Sequence, residues 1–256
     1  MIYLYYEVKI METKGYIDIH SHILWGLDDG AKTREDMLAM LTQAYEDGAR
    51  KLCFTPHYEP ENFDYDVDTL RLRFAEAQAY AEENLPGLSL YLGNEMSIGS
   101  DGVDCLRQGK CLTLADGRYV LLDFFGLSDY KQMRKSLEAF LCAGYLPVVA
   151  HVERYSFMRG KLREVAEMSR EGVLFQINSQ SLMTSERASP SKKMAEKLLA
   201  RGLADVIASD AHDQKARTPQ LSACLAYVKK RFGEDYAEML FYKNPKTILR
   251  NKPIQL

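Results

Sequence analysis

Two histidines separated by one residue, His20 and His22, form the first pair of side chains with clear chemical potential. They follow a short apolar stretch, and side chains at positions i and i+2 of an extended chain point to the same side. Both imidazole rings can therefore bind one metal ion, because neutral imidazole is a common metal ligand. A His-x-His pair at the end of a strand also arises by chance. The Asp28-Asp29-Gly30 stretch that follows is by itself typical of a turn.

Further side chains of the ligand type occur at the ends of other apolar stretches. A histidine ends Thr-Pro-His, a glutamate ends Gly-Asn-Glu, a histidine begins His-Val-Glu-Arg, and Ser-Asp-Ala-His repeats the i, i+2 spacing. One carboxylate lies inside the run Val-Leu-Leu-Asp-Phe-Phe, where a charged group out of water needs a cation or a partner. Together with Asp29, the candidate ligands are His20, His22, His57, Glu95, Asp123, His151, Asp210 and His212.

This ligand set indicates a centre with more than one metal ion. Imidazole and carboxylate ligands without thiolate suit Mn, Fe or Zn. Nine ligands exceed what one ion takes and fit two or three ions. Such a centre activates water near neutral pH and holds the oxygens of a phosphate, which is hydrolytic chemistry.

Seven short apolar runs must position these side chains. Each run is nearly continuous in apolar character, which is typical of strands that are covered on both faces. The runs are Tyr16–His20, Lys51–His57, Leu88–Glu95, Tyr119–Phe124, Leu146–Val152, Val173–Asn178 and Asp205–Asp210.

Amphipathic segments fill most of the gaps between the runs and predict helices. The first predicted helix begins after Thr33, which is its N-cap. The others extend over Asp68–Glu83, Tyr130–Ala143, Ser189–Gly202 and Thr218–Gly233. Strands that alternate with helices form a parallel sheet. Seven such strands in about 240 residues predict a closed or nearly closed α/β barrel, whose ligands bind at the carboxyl ends of the strands. The candidate ligands therefore converge on one mouth.

The whole chain has 256 residues, with 33 Lys plus Arg against 36 Asp plus Glu. The resulting net charge of −3 argues against a nucleic-acid-binding protein. The chain contains neither a long apolar run that would span a membrane nor a signal peptide. Five scattered cysteines without a Cys-x-x-Cys pair then predict reduced thiols in the cytoplasm. We expect residues 1–15 to be an N-terminal leader, with Met11 as an alternative start, and residues 16–256 to form one domain.

The motifs HxH, TPHY, GNE, HVER and SDAH, in this order, resemble the PHP (polymerase and histidinol phosphatase) superfamily. Within it, the stretches DIHSHIL, GLDDGA, HVERY and SDAH resemble the bacterial CpsB/YwqE branch. The resemblance implies a distorted (β/α)7 barrel with two or three divalent ions, most often manganese, with iron or zinc as alternatives. It also implies a metal-dependent protein-tyrosine phosphatase of capsule and exopolysaccharide synthesis. Its substrate would be a phosphotyrosine protein, namely a bacterial tyrosine kinase of polysaccharide assembly.

The resemblance also divides the ligands among three ions. One ion would take His20, His22 and Asp210, with Glu95 as a bridge to a second ion that Asp123 and His151 complete. The third ion would take Asp29, His57 and His212. Asp123 departs from the branch, which usually has Glu at this position, so this ligand is one methylene shorter.

Two arginines, Arg154 and Arg217, match residues that contact phosphate in the family. A guanidinium group holds two phosphate oxygens at once, although an ordinary surface salt bridge is the alternative for each arginine. Tyr58 and Tyr155 lie next to ligands, and either line the mouth or pack in the core.

Other functions remain open at this point. A histidinol-phosphate phosphatase, another PHP phosphoesterase or an exonuclease-type PHP domain would share the ligands, although the HVERY and DDG motifs favour the tyrosine phosphatase. A non-catalytic scaffold that binds a kinase would not need the full ligand set. The sequence leaves the oligomeric state open.

Overall fold

The computed structural model describes residues 15–97, 102–127 and 129–254. The expected N-terminal leader, residues 1–15, lies outside the described residues except for Gly15. No helix within the described ranges is long and apolar enough to cross a membrane.

Nine short strands in the described residues form the seven strand positions of one barrel. We call each position a stave, because two of the seven consist of two short strands in line. The second and third predicted runs are each interrupted, at Thr55-Pro56 and at Gly93-Asn94, and each yields two strands. The pairing register is the same on both sides of the interruption, so each pair of strands is one continuous stave. The strands are β1 (Tyr16–Asp18), β2 (Ala49–Phe54), β3 (His57–Tyr58), β4 (Ser89–Leu92), β5 (Glu95–Ser97), β6 (Tyr119–Asp123), β7 (Leu146–Val149), β8 (Leu174–Asn178) and β9 (Val206–Ala208).

All strand pairings are parallel, in the orders β1-β2-β4 and β3-β5-β6-β7-β8-β9. The first and last staves meet through a parallel bridge between Ser21 and Ala211. The His22 amide donates to the Ala211 carbonyl at 2.8 Å, and the Asp210 amide donates to the His20 carbonyl at 2.9 Å. These bonds close the distorted (β/α)7 barrel, and the predicted fold class is confirmed.

Helices surround the staves. They are α1 (Arg34–Asp47), α2 (Val67–Asn84), α3 (Gly102–Arg107), α4 (Tyr130–Cys142), α5 (Leu162–Arg170), α6 (Ser179–Met183), α7 (Pro190–Ala200), α8 (Ser222–Phe232), α9 (Glu234–Glu238) and α10 (Asn244–Leu249).

Local signals explain most helix ends. Thr33 caps α1 in a capping box with Asp36, as the sequence predicts, and Gly48 ends α1 with φ 111°, a conformation that glycine adopts without strain. The predicted start of α8 at Thr218-Pro219 is wrong, because the helix begins at Ser222. The Asp47 carboxylate, from the end of α1, accepts hydrogen bonds from the Leu221 and Ser222 amides at 2.8 and 2.9 Å. This cap comes from a distant segment and leaves no local signal.

The core has two parts, because alternate strand residues face opposite sides of the barrel wall. Leu121 and Val148 belong to the inner cluster, whereas their neighbours Val120 and Val149 pack against the helices. Ile248 and Leu249 of α10 join the inner cluster together with the first residues of β6, β8 and β9. Helix α10 therefore closes the amino end of the barrel, and the opposite end is left for ligands.

Candidate metal centre

The structure brings all nine predicted ligands together at the carboxyl end of the barrel. Three of them, His57, Glu95 and Asp123, lie in strands, and the other six lie in the segments that follow β1, β7 and β9. Their ligand atoms form three groups within which all atoms lie within 4.8 Å of one another: His22, Asp29, His57 and His212; His20, His22, Glu95 and Asp210; and Glu95, Asp123 and His151.

The central group contains two imidazole nitrogens that face each other. His20 Nδ1 lies 3.0 Å from Gln176 Oε1, and His22 Nδ1 lies 2.6 Å from Asp28 Oδ2. Because both partners are acceptors, each Nδ1 donates, and in the neutral ring each Nε2 carries the lone pair that binds a metal. The two Nε2 atoms are 3.2 Å apart. Two lone pairs at this distance repel each other unless a cation lies between them, so the arrangement is typical of two ligands of one ion.

Glu95 connects the groups. It is fully buried, and its Oε2 lies 3.2 Å from His20 Nε2 and 3.1 Å from His57 Nδ1, while its Oε1 lies 3.0 Å from His151 Nε2. Burial acts to raise the pKa of Glu95, but His20, His57 and His151 outweigh it and hold the pKa well below its ordinary value. Including His22, whose Nε2 lies 3.2 Å from Glu95 Oε2, four histidines surround this carboxylate. An ionised carboxylate in this position can bridge two ions.

The outer group consists of Asp29, His57, His212 and the shared His22. His212 Nδ1 donates to the Asp210 carbonyl at 2.9 Å, so His212 Nε2 carries a lone pair. This nitrogen lies 3.1 Å from Asp29 Oδ1, which is also 3.5 Å from His57 Nε2. A carboxylate oxygen and an imidazole lone pair therefore face each other, which again calls for a cation.

Asp123 reaches the third group despite its short side chain. Its Oδ1 lies 3.9 Å from His151 Nε2 and accepts hydrogen bonds from the Phe125 amide at 2.7 Å and the Tyr155 hydroxyl at 2.9 Å. Burial, and then the nearby Glu95, raise the pKa of Asp123. Tyr155 is only 3% exposed, so of its two predicted roles the structure supports packing. Its hydroxyl also positions Asp123.

Both predicted arginines contact the same carboxylate. Arg217 Nη2 lies 2.6 Å from Asp210 Oδ2, and Arg154 Nη1 lies 3.3 Å from the same oxygen. The other oxygen, Oδ1, lies 3.4 Å from the Nε2 atoms of both central histidines. Each guanidinium is about one third exposed. The arginines therefore stand between the centre and solvent, and their partner is a buried ligand rather than a surface acid.

The sequence analysis missed three residues that hold the ligands in place. Gln176 Oε1 accepts hydrogen bonds from His20 Nδ1 and from the His151 amide at 2.9 Å, and its Nε2 donates to Asn178 at 2.8 Å. Asn178 Nδ2 then donates to Asp210 Oδ2 at 2.6 Å. The i, i+2 spacing of these two amides in the buried run of β8 was the signal that could have revealed them.

Asp28 is the third such residue, and the prediction of a turn described only half of its role. Its Oδ1 accepts the Gly30 amide at 2.9 Å, which forms the turn. Its Oδ2 holds His22 Nδ1 and also accepts the His57 amide at 2.9 Å. One carboxylate therefore orients a candidate ligand that follows β1 and another on β3.

Several buried polar atoms of the centre make no hydrogen bond with any described residue. They include Glu95 Oε2, His57 Nδ1 and His212 Nε2. Buried polar atoms without partners are rare in native proteins. The nitrogen and oxygen donors, the bridging carboxylate and these unpaired atoms all fit a cluster of divalent cations.

The family model for capsular polysaccharide synthesis, CpsB/CapC, matches residues 16–250. The tyrosine-protein phosphatase CpsB of Streptococcus pneumoniae is 32% identical over 242 residues, which cover 93% of this chain and 100% of the relative. The tyrosine-protein phosphatase YwqE of Bacillus subtilis (strain 168) is 30% identical over 241 residues, which cover 93% of both chains.

The structure gives a concordant result. A chain from the crystal structures of YwqE from B. subtilis and CpsB from S. pneumoniae, described as unique metal-dependent tyrosine phosphatases, superimposes with a TM-score of 0.85 at 29% identity. The match covers 93% of this chain and 96% of that chain. The matched range, residues 16–250, includes all seven staves and all nine candidate ligands, and the chain belongs to the CpsB/CapC family of capsular polysaccharide synthesis.

Proposed function

We infer that this chain is a metal-dependent protein-tyrosine phosphatase whose catalytic domain is residues 16–256. The observation that carries the inference is the convergence of five histidines and four carboxylates in three overlapping groups. The relatives named as tyrosine-protein phosphatases, which match over almost the whole chain, support the substrate class.

The three groups are the proposed ion sites, with His22 and Glu95 shared between neighbouring groups. Divalent ions held there supply an activated water molecule and positive charge for phosphate oxygens. Manganese is the proposed metal, because nitrogen and oxygen ligands suit it and no thiolate is present in the three groups.

Arg154 and Arg217 are the proposed phosphate-binding residues. Each lies at the border between the buried carboxylate of Asp210 and solvent, where an incoming phosphate monoester first meets the centre. A guanidinium fork binds two phosphate oxygens and neutralises charge that develops on them. The leaving phenolate of phosphotyrosine has a conjugate acid with a pKa near 10 and needs little protonation, so we assign no general acid.

The proposed substrate is a phosphotyrosine protein, and a tyrosine kinase that acts in polysaccharide assembly is the proposed partner. The family description, capsular polysaccharide synthesis, supports this context. A cytoplasmic location is part of the same proposal, and the cysteines agree with it, since none of the five forms a disulfide.

The deciding experiment compares hydrolysis of a phosphotyrosine peptide, a phosphoserine peptide and histidinol phosphate, with manganese and after chelation. We expect a clear preference for the phosphotyrosine peptide, loss of activity on chelation and recovery with manganese. A preference for histidinol phosphate would move the protein to another hydrolase class. Full activity of metal-free protein would contradict the proposed chemistry.

A cysteine-free variant provides the matched control. Thiol-dependent tyrosine phosphatases use a Cys-x5-Arg motif, and no cysteine in this chain has arginine six positions later. Four of the five cysteines are buried. We therefore expect the variant with all five cysteines replaced by Ser or Ala to retain most of its activity, provided that it folds with wild-type circular dichroism.

A further inference from the structure

We propose that Phe125 determines substrate specificity by packing against the aromatic ring of phosphotyrosine. This inference rests on the proposed tyrosine phosphatase activity and deepens it, because it names a residue that selects an aryl over an alkyl phosphate.

Phe125 lies directly at the metal centre. It follows β6, two residues after Asp123, and its amide donates to Asp123 Oδ1 at 2.7 Å. The two neighbouring rings lie in different environments. The Phe124 side chain is 1% exposed, whereas the Phe125 side chain is 71% exposed. The backbone of Phe125 thus orients a proposed ligand, while its ring extends into solvent beside that ligand.

The ring also lies next to a proposed phosphate-binding group. The Arg154 guanidinium carbon is 5.7 Å from the centre of the Phe125 ring, within the range of a cation–π contact. The same guanidinium reaches Asp210 Oδ2 at 3.3 Å. A phosphate held by Arg154 would therefore carry its ester group into the space beside Phe125.

The exposure of this ring has no explanation in the folded core. The large apolar side chains described as exposed are Leu72, Phe125, Met183 and Met239, and Phe125 is the most exposed among them. Single exposed apolar residues are common on protein surfaces, so exposure alone means little. What distinguishes Phe125 is its position, since its amide donates to Asp123 and its ring lies against the Arg154 guanidinium.

A phenyl ring at this place favours an aryl substrate for a physical reason. Offset or edge-to-face packing of two aromatic rings contributes about 0.5–1.5 kcal/mol beyond the area that it buries. This corresponds to about a threefold to tenfold change in affinity. The short alkyl chain of phosphoserine offers no ring, so it gains nothing from Phe125.

The test uses binding of two non-hydrolysable ligands to the manganese-loaded protein, measured by calorimetry. Benzylphosphonate carries an aromatic ring and methylphosphonate does not, while both present the same charged group. We expect Phe125→Ala to weaken benzylphosphonate binding about threefold to tenfold and to leave methylphosphonate binding unchanged. Phe125→Tyr should restore aryl binding, and Leu72→Ala, a matched truncation of an exposed apolar residue on α2, should change neither.

Catalysis gives a second readout of the same idea. With a phosphotyrosine peptide, Phe125→Ala should raise KM more than it lowers kcat, and its metal content should match that of the wild type. Equal weakening of both phosphonates would assign Phe125 to the support of Asp123 and overturn the proposal. Unchanged benzylphosphonate binding would overturn it as well. If the wild type does not hydrolyse the phosphotyrosine peptide, the proposed function is wrong. If the wild type is active but Phe125→Ala keeps full selectivity for the aryl ligand, only the role of Phe125 is wrong.

Discussion

Gln176 joins two of the proposed ion sites, and its replacement tests how strongly the surrounding hydrogen bonds hold the ligands. It is fully buried on β8. Its oxygen accepts hydrogen bonds from His20 Nδ1 and the His151 amide, and its nitrogen donates to Asn178. Gln176→Met keeps the length and approximate volume of the side chain but removes all three hydrogen bonds.

The size of the effect follows from the groups that are left without partners. The His20 ring nitrogen, the His151 amide and the Asn178 oxygen are all at least 95% buried, so water does not reach them freely. Each buried polar group without a hydrogen bond costs about 1–3 kcal/mol. For three such groups we therefore expect the free energy of unfolding of the metal-free protein to fall by about 3–9 kcal/mol.

Metal binding should weaken for a related reason. The Gln176 oxygen fixes the tautomer of His20, and without it the proton can move to Nε2 and block the lone pair. Loss of a residue that orients a metal-binding histidine typically costs tenfold to a hundredfold in metal affinity. We expect a loss of about this size in manganese affinity, together with lower activity that high manganese concentrations partly restore.

Urea unfolding in the presence of a chelator measures the first effect, and manganese titration by calorimetry measures the second. Gln132→Met, the same substitution at an exposed position on α4, is the control and should change neither quantity. A variant with wild-type manganese affinity and a stability loss below about 1 kcal/mol would refute the reasoning, because it would mean that the three hydrogen bonds contribute nothing net.

Asp123→Asn should lower metal content strongly, while Asp123→Glu should keep it, as elemental analysis of the purified variants will show. Arg154→Ala and Arg217→Ala should each lower kcat/KM by about tenfold to a hundredfold, the equivalent of a charged hydrogen bond, at unchanged metal content; metal loss would instead assign them a structural role. Burial raises the pKa of Asp205 to about 7. The folded protein therefore keeps a proton that the unfolded chain releases near pH 4. The contribution of Asp205 to the stability of the wild type falls as the pH rises from about 4 to 7. Asp205→Asn should therefore be the more stable protein at pH 8, by at most ~4 kcal/mol, with an advantage that shrinks toward pH 5 in urea unfolding.

The barrel and the ligands were predictable from the sequence for one physical reason. Buried parallel strands are apolar throughout, so a polar residue at the end of such a run stands out, and parallel strands bring all these ends to one edge. Asp123, inside a run of Leu and Phe, is the clearest example. The family resemblance then divided the candidate ligands among three ions, and this division stays a prediction; the structure places the same side chains in three overlapping groups.

Residues that act through other residues were not predictable in the same way. Asp28 looks like an ordinary turn residue because its Oδ1 does form a turn, and its contact with His22 depends on the folded loop. The start of α8 depends on Asp47, from an element far away in the sequence. Local sequence patterns carry no information about such tertiary contacts.

His22 shows the same limit at the level of the ions. The family resemblance placed it with His20 and Asp210, whereas in the structure it also belongs to the group of Asp29, His57 and His212. Its ring centre lies 4.0 Å from that of His212 and 4.4 Å from that of His57. Because Nδ1 is bonded to Asp28, His22 has one lone pair to offer, and it can serve an ion in only one of the two neighbouring groups.

Asp210 lies between the proposed metal sites and the two arginines that we propose bind phosphate. Burial acts to raise its pKa, but the histidines around it, first of all His20, hold the pKa well below its ordinary value, so it is ionised. Its Oδ1 faces the central histidines, and its Oδ2 faces Arg154 and Arg217. A cation held near Oδ1 would draw negative charge toward itself and would weaken the hold of Oδ2 on the arginines. The same carboxylate would then link metal binding to the release of two guanidinium groups toward phosphate.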